Sequence, residues 1–302
     1  MNEDIQWFIE KLFDSSPLNH LPENFGGGRI FSKPLTGVVR GDDPIFLKFK
    51  TVVGPKHATP EEMWIQSGLP KRKDLPSQLR ILSIIFPYVD KIRNAHNHEH
   101  VSPSDVYCVG RNFAEAFMSY VLDEMVCYFK KRDFHAVAGI KSPIFRILTH
   151  NEPPFIYSVW SERHIAFAAG LGTFSLHEGL ITEVGCNIRI ASVITNAPLT
   201  VTPRKSDEPY ANCLYYTEEK CQQCSKRCPA HAITGKGHDK IACSLYLNSI
   251  EENARKQLGN ILKPLKRIVD GQERVDYPTG CALCQFDVPC MGRNPMAAAR
   301  KN

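Results

Sequence analysis

The chain has 302 residues, 43% hydrophobic and 23% charged, enough to bury a core and more than one average domain needs. Its net charge of +5 is spread along the sequence, which argues against a basic nucleic-acid arm, and no apolar run reaches the length of a membrane span. The opening MNEDIQWFIEKLF mixes charges into its apolar positions, unlike a secretory signal, so a cytoplasmic protein with no membrane attachment is expected.

In chain order, Ile5, Phe8, Ile9 and Leu12 recur at helical spacing and predict a first helix, closed by a loop at Gly26, Gly27 and Gly28. A stretch rich in Pro, Gly and Lys runs on to about Pro76, with a short helix at 60–66. The run from Arg80 to Phe86, stopped by Pro87, has the length and β-branching of a buried strand and is expected to be the first of a core sheet. Phe113, Phe117, Val121, Met125 and Tyr128 mark one face of a helix over 112–131, followed by a strand candidate over 135–140. This strand, helix, strand order suggests an α/β arrangement. Residues 162–169 read as a helix ending at Gly170-Leu171-Gly172, and 188–195 as a further strand. A domain boundary is expected near 197–209, giving a cofactor or substrate domain over 1–205 and a second domain over 206–302.

Eleven cysteines in a reducing compartment point to metal rather than to disulfides. Cys108, Cys127 and Cys186 stand singly and read as small core hydrophobes. Cys213, Cys221, Cys224, Cys228, Cys243, Cys281, Cys284 and Cys290 all follow residue 210. Cys221-Gln-Gln-Cys224-Ser-Lys-Arg-Cys228-Pro229 matches the later part of the bacterial ferredoxin run, in which the cysteine before proline serves the second cluster. The place where that run would begin is Glu218, and Cys213 is the nearest replacement. Exchange between the two groups then gives one [4Fe–4S] cluster to Cys213, Cys221, Cys224 and Cys290, and another to Cys228, Cys243, Cys281 and Cys284. Zinc is the competing reading, since four thiolates also satisfy it, but the Cys-Pro ending and the interleaved count favour clusters. His231 and His238 lie nearby and read as surface or supporting residues rather than ligands.

Three stretches resemble epoxyqueuosine reductase and its relatives, which include the iron–sulfur half of corrinoid-dependent reductive dehalogenases. They are Tyr107-Cys-Val-Gly-Arg-Asn-Phe113, the segment from Glu162-Arg163 to Gly170-Leu171-Gly172, and the cysteine groups with Cys243-Ser-Leu-Tyr-Leu and Cys284-Gln. The stretches Gly237-His-Asp-Lys240 and Cys290-Met-Gly-Arg-Asn-Pro295 look like a shorter, anaerobic branch of that group. The resemblance implies an α+β protein: a nitroreductase-like α/β N-terminal domain holding cobalamin, followed by a ferredoxin-like domain with two [4Fe–4S] clusters. It further implies that an external donor such as ferredoxin or flavodoxin supplies electrons, which pass through the clusters to cobalt and on to a small-molecule substrate.

By the same resemblance, Arg111, Asn112, Arg163, Gly170, Gly172 and Arg189 are expected to bind the cofactor, and Tyr157 and Glu162 are the candidate proton donors. Each also has a packing or ion-pair reading. The chain departs from the pattern where Thr173-Phe174-Ser175 replaces a Trp-Ile-Gly-Lys stretch, where Asn112-Phe113-Ala114 replaces Asp-Tyr-His, and where Ile156 stands in the place of the family's acidic proton donor. The sequence ends soon after Cys290, without the helical-repeat tail with which epoxyqueuosine reductase holds tRNA, so tRNA is not expected as a partner. The alternatives to a reductase are a non-catalytic electron carrier or reductase subunit and, further off, reduction of epoxyqueuosine in tRNA.

Overall fold

The computed structural model describes residues 2–269 and 272–299. Helix α1 (Asn2–Ser15) is followed by strand β1 (Leu35–Arg40), helices α2 (Ile45–Val52), α3 (Pro60–Gln66) and α4 (Leu75–Gln78), and strand β2 (Arg80–Pro87). Helices α5 (Asp90–Asn97) and α6 (Asp105–Lys130) precede strands β3 (Ala136–Ala138), β4 (Ile147–Thr149) and β5 (Ile156–Ser158). Next come α7 (Glu162–Ala168), β6 (Gly172–Phe174), β7 (Leu180–Thr182) and β8 (Ile188–Thr195). The cysteine-rich segment holds α8 (Leu214–Glu218), α9 (Gln223–Lys226), β9 (Ile233–Thr234), β10 (Gly237–His238), α10 (Lys240–Leu258), β11 (Leu265–Val269), β12 (Gln272–Asp276) and α11 (Met296–Ala299).

Two helix starts follow from local chemistry. The Thr59 hydroxyl accepts the Glu62 N–H while the Glu62 carboxylate accepts the Thr59 N–H, and Pro60 fills the first turn of α3. Ser104 accepts the Tyr107 N–H and starts α6 seven residues before the expected Asn112, so the whole Tyr107–Phe113 stretch is helical.

The central sheet runs β1-β2-β8-β3, and every neighbouring pair is antiparallel. This corrects two expectations. β2 is not the first strand, because β1 lies at its edge. The strand-helix-strand pattern does not give parallel neighbours either, because β8 inserts between β2 and β3. The architecture is α+β. Side chains alternate across the sheet as the pleat requires. Leu82, Ile84, Phe86, Ala191 and Val193 enter one core with α1 and α6, while Ile81, Ile85, Ile190 and Ile194 enter another with α2, α3 and α7. In the first core Phe13 meets Phe86 at 5.0 Å and Phe117 at 4.9 Å, tying α1, β2 and α6 together. Burying each such ring is worth ~2–3 kcal/mol.

The cysteine-rich segment is packed into the same body. Ala254 and Leu258 of α10 and Phe286 belong to the core of α6. A second sheet, β12-β11-β4-β5, takes strands from both sides of residue 205. A third core contains Leu176, Ile181, Cys186, Cys213, Cys224 and Cys228. Among the described residues no helix is long and apolar enough to cross a membrane.

Candidate metal centre and adjoining cavity

The cysteines are gathered by short, tightly wound loops. Cys213 stands immediately before α8, Cys224 lies on α9, and Cys228 closes a turn onto the Ser225 carbonyl at 3.2 Å. Glu219, His231, Ala282 and Asp287, all beside cysteines, hold positive φ between 49° and 55°. Non-glycine residues in that region carry strain that the surrounding structure must sustain.

Four thiols, those of Cys213, Cys221, Cys224 and Cys290, line one small cavity together with Leu176, His177 and Pro289. Burial pushes the Cys213 thiol up, against the backbone N–H groups of Leu176, Tyr215 and Tyr216, which face its sulfur. Burial also pushes Cys224 up to about 12, and Cys290, Cys213 and Cys221 add to that electrostatically. The other four form a second neighbourhood. Burial raises Cys281 to about 11 and Cys284 well above its ordinary value; both feel the sulfurs of Cys228 and Cys243, and Cys284 also feels Cys224 of the first group. Thiols so raised are expensive to ionise by themselves, so a bound cation is what would stabilise the thiolates.

A fifth sulfur meets the first group. Cys186, 2% exposed, sets its Sγ 3.7 Å from the Cys290 Sγ, and a His177 nitrogen completes a trio whose ligand atoms all lie within 4.8 Å of one another. The contact raises Cys186 well above its usual range and brings Cys290 down to about 5 despite its burial, with the neighbouring His177 adding to the effect on Cys290. Reading Cys186 as a buried hydrophobe captures its burial and misses this contact. Cys108 and Cys127 lie on α6; Cys108 is buried and Cys127 is half-buried.

Beside the cysteines lies a cavity of about 800 Å³, lined among others by Asp43, Val52, Tyr157, Arg163, Phe174, Glu178, Tyr210 and Lys240. Tyr157 stacks on His150 at 5.5 Å, and its buried hydroxyl has no hydrogen-bond partner among the described residues. Gly54 is what lets the Tyr157 ring lie there, since a Cβ at that position would fall 2.5 Å from it. Arg163 Nη1 donates to the Glu178 carbonyl at 2.6 Å. The Glu178 carboxylate is 3.5 Å from His238 and 3.9 Å from Lys240. Burial alone would lower His238, but the neighbouring Cys243 and Glu178 outweigh it and raise the ring to about 9. The cavity thus reaches the second cysteine group through Glu178 and His238.

The remaining predicted residues do not share this cavity. The Glu162 carboxylate is buried against Ser192 on β8, where desolvation pushes it up to about 8. Arg111 and Arg189 both pair with Glu115. Asn112 is hydrogen-bonded to the Lys263 backbone. Gly170 and Gly172 line a different cavity of about 1080 Å³. A Cβ on Gly170 would come 2.8 Å from the Pro203 carbonyl, and one on Gly172 would come 2.4 Å from the Ile181 carbonyl. Gly170 also holds φ +77° after α7, so both glycines are required by the protein's own backbone. Of the eight residues expected to serve cofactor or proton transfer, Tyr157 and Arg163 meet at the 800 Å³ cavity.

No family model matches the chain, and no curated protein matches it in sequence. Among solved structures, a catabolic reductive dehalogenase is 13% identical with a TM-score of 0.48, over 88% of this chain and 31% of that one. The chain therefore spans about a third of that protein's length. Epoxyqueuosine reductase from Streptococcus thermophilus is 13% identical, with a TM-score of 0.45 over 99% of this chain and 70% of that one. An epoxyqueuosine reductase solved with a tRNA stem loop is 16% identical, with a TM-score of 0.41 over 97% and 70%. These structures belong to the two enzyme groups that the sequence resembles, reductive dehalogenases and epoxyqueuosine reductases.

Proposed function

We propose that the protein is an iron–sulfur oxidoreductase with two [4Fe–4S] clusters and a cofactor cavity beside them. The observation that carries this reading is the convergence of Cys213, Cys221, Cys224 and Cys290 on one cavity, with Cys228, Cys243, Cys281 and Cys284 interacting as a second set. The donor chemistry fits: eight sulfurs, and turns tight enough to bring Cys-x-x-Cys pairs together. Bound there, the clusters would supply one-electron transfer.

The 800 Å³ cavity falls within the size range of small-molecule cofactor sites and offers an orphaned hydroxyl, aromatic walls and the cationic side chains of Lys48, Arg163, Arg204 and Lys240. We assign it, rather than the Gly170 turn, to cobalamin and the small-molecule substrate. When bound, cobalamin would supply the reductive chemistry at cobalt. The chain's own part is to hold the cofactor's polar edge with Arg163 and Lys240, to exclude water with Phe174 and Tyr210, and to hold a proton at the Tyr157 Oη. An external donor such as ferredoxin or flavodoxin would meet the exposed apolar side chains Ile241 and Leu245 of α10, on either side of Cys243.

The test is anaerobic reconstitution with iron and sulfide. About eight of each per chain, and reduced-state spectra of two interacting paramagnets, are expected. Iron near four per chain, or stoichiometric zinc instead, would refute the reading.

A further inference from the structure

The turn between β6 and β7, spanning 175–179, brings His177 inward onto the first cysteine cavity, and the backbone is built to keep it there. The Ser175 N–H donates to the Gly179 carbonyl at 3.0 Å, and the Ser175 hydroxyl donates to the same oxygen at 2.9 Å. Gly179 has no side chain where one would collide with the imidazole, since its Cβ would lie 2.4 Å from a ring carbon of His177. The Gly179 N–H donates to His177 Nδ1 at 3.2 Å. With Nδ1 accepting, the proton of the neutral ring is assigned to Nε2. That nitrogen belongs to a side chain only 4% exposed, and it has no hydrogen-bond partner within normal range among the described residues.

Cys186 is fixed on the same spot by independent means. Its N–H donates to the Cys290 carbonyl at 2.8 Å, and the Asn187 N–H donates to the Met291 carbonyl at 3.1 Å, so the two segments run side by side. Gly185 permits the approach, because a Cβ there would lie 2.2 Å from the Met291 carbonyl oxygen. The thiol is thereby held 3.7 Å from the Cys290 sulfur, with the next acceptor, the Gln285 carbonyl, at 3.9 Å.

From this geometry we infer that Cys186 S–H donates to the Cys290 sulfur, that His177 Nε2–H, held beside it without another partner, becomes the second donor when the cluster is bound, and that the two set the potential of the first cluster by stabilising its reduced form. The inference rests on the proposed function, because Cys290 must be a cluster ligand. Cys186 itself is not a ligand: Cys213, Cys221, Cys224 and Cys290 already fill four places. Adding one electron to a [4Fe–4S] cluster increases the negative charge on its ligand sulfurs. A donor aimed at one of them therefore favours the reduced state, and hydrogen bonds to sulfur are a recognised control of such potentials. His177 and Cys186 are positioning residues, acting through Cys290.

The experiment is a potentiometric titration of the full-length, reconstituted protein with dithionite, followed by electron paramagnetic resonance. The first cluster is identified as the signal lost in Cys213→Ala. In Cys186→Ala and in His177→Phe the first cluster should remain, with a more negative potential. At the unmodified midpoint the ratio of reduced to oxidised cluster in each variant should be about tenfold lower, a shift of about 59 mV for one electron. The second cluster should not move. Cys186→Ser and His177→Gln keep a donor and should recover part of the shift, and they carry the test if Cys186→Ala does not fold. An unmoved potential in Cys186→Ala and His177→Phe overturns the inference, and so does loss of the first cluster from Cys186→Ser, which would make Cys186 a ligand. Absence of the first cluster from the unmodified protein would remove the proposed function as well, whereas an intact cluster of unaltered potential removes only this inference.

Discussion

Asn112 on α6 is bonded twice to the backbone of Lys263: its Nδ2 donates to the Lys263 carbonyl at 3.0 Å, and its Oδ1 accepts the Lys263 N–H at 2.8 Å. The side chain is 2% exposed. Both backbone groups lie just before β11, so Asn112 anchors the connection from α10 back to the body. Asn112→Ala leaves one donor and one acceptor unsatisfied and should cost about 2–3 kcal/mol. Urea unfolding should show this loss at unchanged iron content and unchanged cobalamin affinity. Lost cobalamin binding at full stability would instead return Asn112 to the cofactor site.

How far the sequence reveals the fold depends on how local each determinant is. The Arg80–Pro87 strand, the Pro60–Gln66 helix and the Ile188–Thr195 strand are legible because unbroken apolar or capped patterns define them. Strand β1 is hidden because Gly37 sits at its middle among prolines. Its reason is tertiary: a Cβ there would fall 2.5 Å from the Ala169 carbonyl. The insertion of β8 between β2 and β3 has no local signal at all. That Cys213, Cys221, Cys224 and Cys290 come together is readable from spacing. The contact of Cys186 is not, since the sulfur it meets lies 104 residues away.

The two thiol groups predict separable losses. Cys213→Ala should remove or convert the first cluster and leave the second, while Cys228→Ala should do the reverse. Cys127 is the appropriate control, because it is half-buried on α6 and lines a shallow surface cleft with Trp7 and Lys131. Cys186→Ala is unsuitable as a silent control given its contact with Cys290. Iron analysis and the reduced spectra of each variant decide the matter. Identical spectra for Cys213→Ala and the unmodified protein would sink the assignment.

Two buried groups give stability opposite slopes with pH. His57 is fully buried, accepts the Ser161 N–H at 3.2 Å, and is lowered to about 4, chiefly by desolvation with Lys50 adding to it. The unfolded chain takes this proton first, so the contribution is whole above about pH 6.5 and is lost as pH falls towards 4, by about 3 kcal/mol. Glu162, raised to about 8 by burial, behaves in reverse. Its contribution is whole below about pH 4.5 and is lost as pH rises to 8, on the order of 5 kcal/mol. His57→Gln should flatten the acid limb of a stability profile, and Glu162→Gln the alkaline limb. Profiles parallel to that of the unmodified protein would show that these groups do not control it.

The placement of cobalamin is open to a direct steric test, because the two candidate cavities have different exposed rims. Val52 lines the cavity of Tyr157 and Arg163 and is 64% exposed, so Val52→Trp adds bulk at its mouth without disturbing a core. Lys205 lines the Gly170 cavity and is exposed, so Lys205→Trp does the same there. Titration of the reconstituted protein should show at least about tenfold weaker cobalamin binding for Val52→Trp, or about 1.4 kcal/mol, and little change for Lys205→Trp. Arg163→Glu should weaken binding further by reversing the charge at the cavity wall. Gly172→Val is a poor probe of the same question: its Cβ would meet the Ile181 carbonyl and break the β6–β7 pairing, so its effect should appear as lost stability. The reverse ranking of the two tryptophan variants would move the cofactor to the Gly170 turn. No binding by the unmodified protein at micromolar cobalamin would end the corrinoid reading and leave a two-cluster electron carrier, for which the polar wall of Arg163, Glu178 and Lys240 would be a partner's docking site rather than a cofactor's.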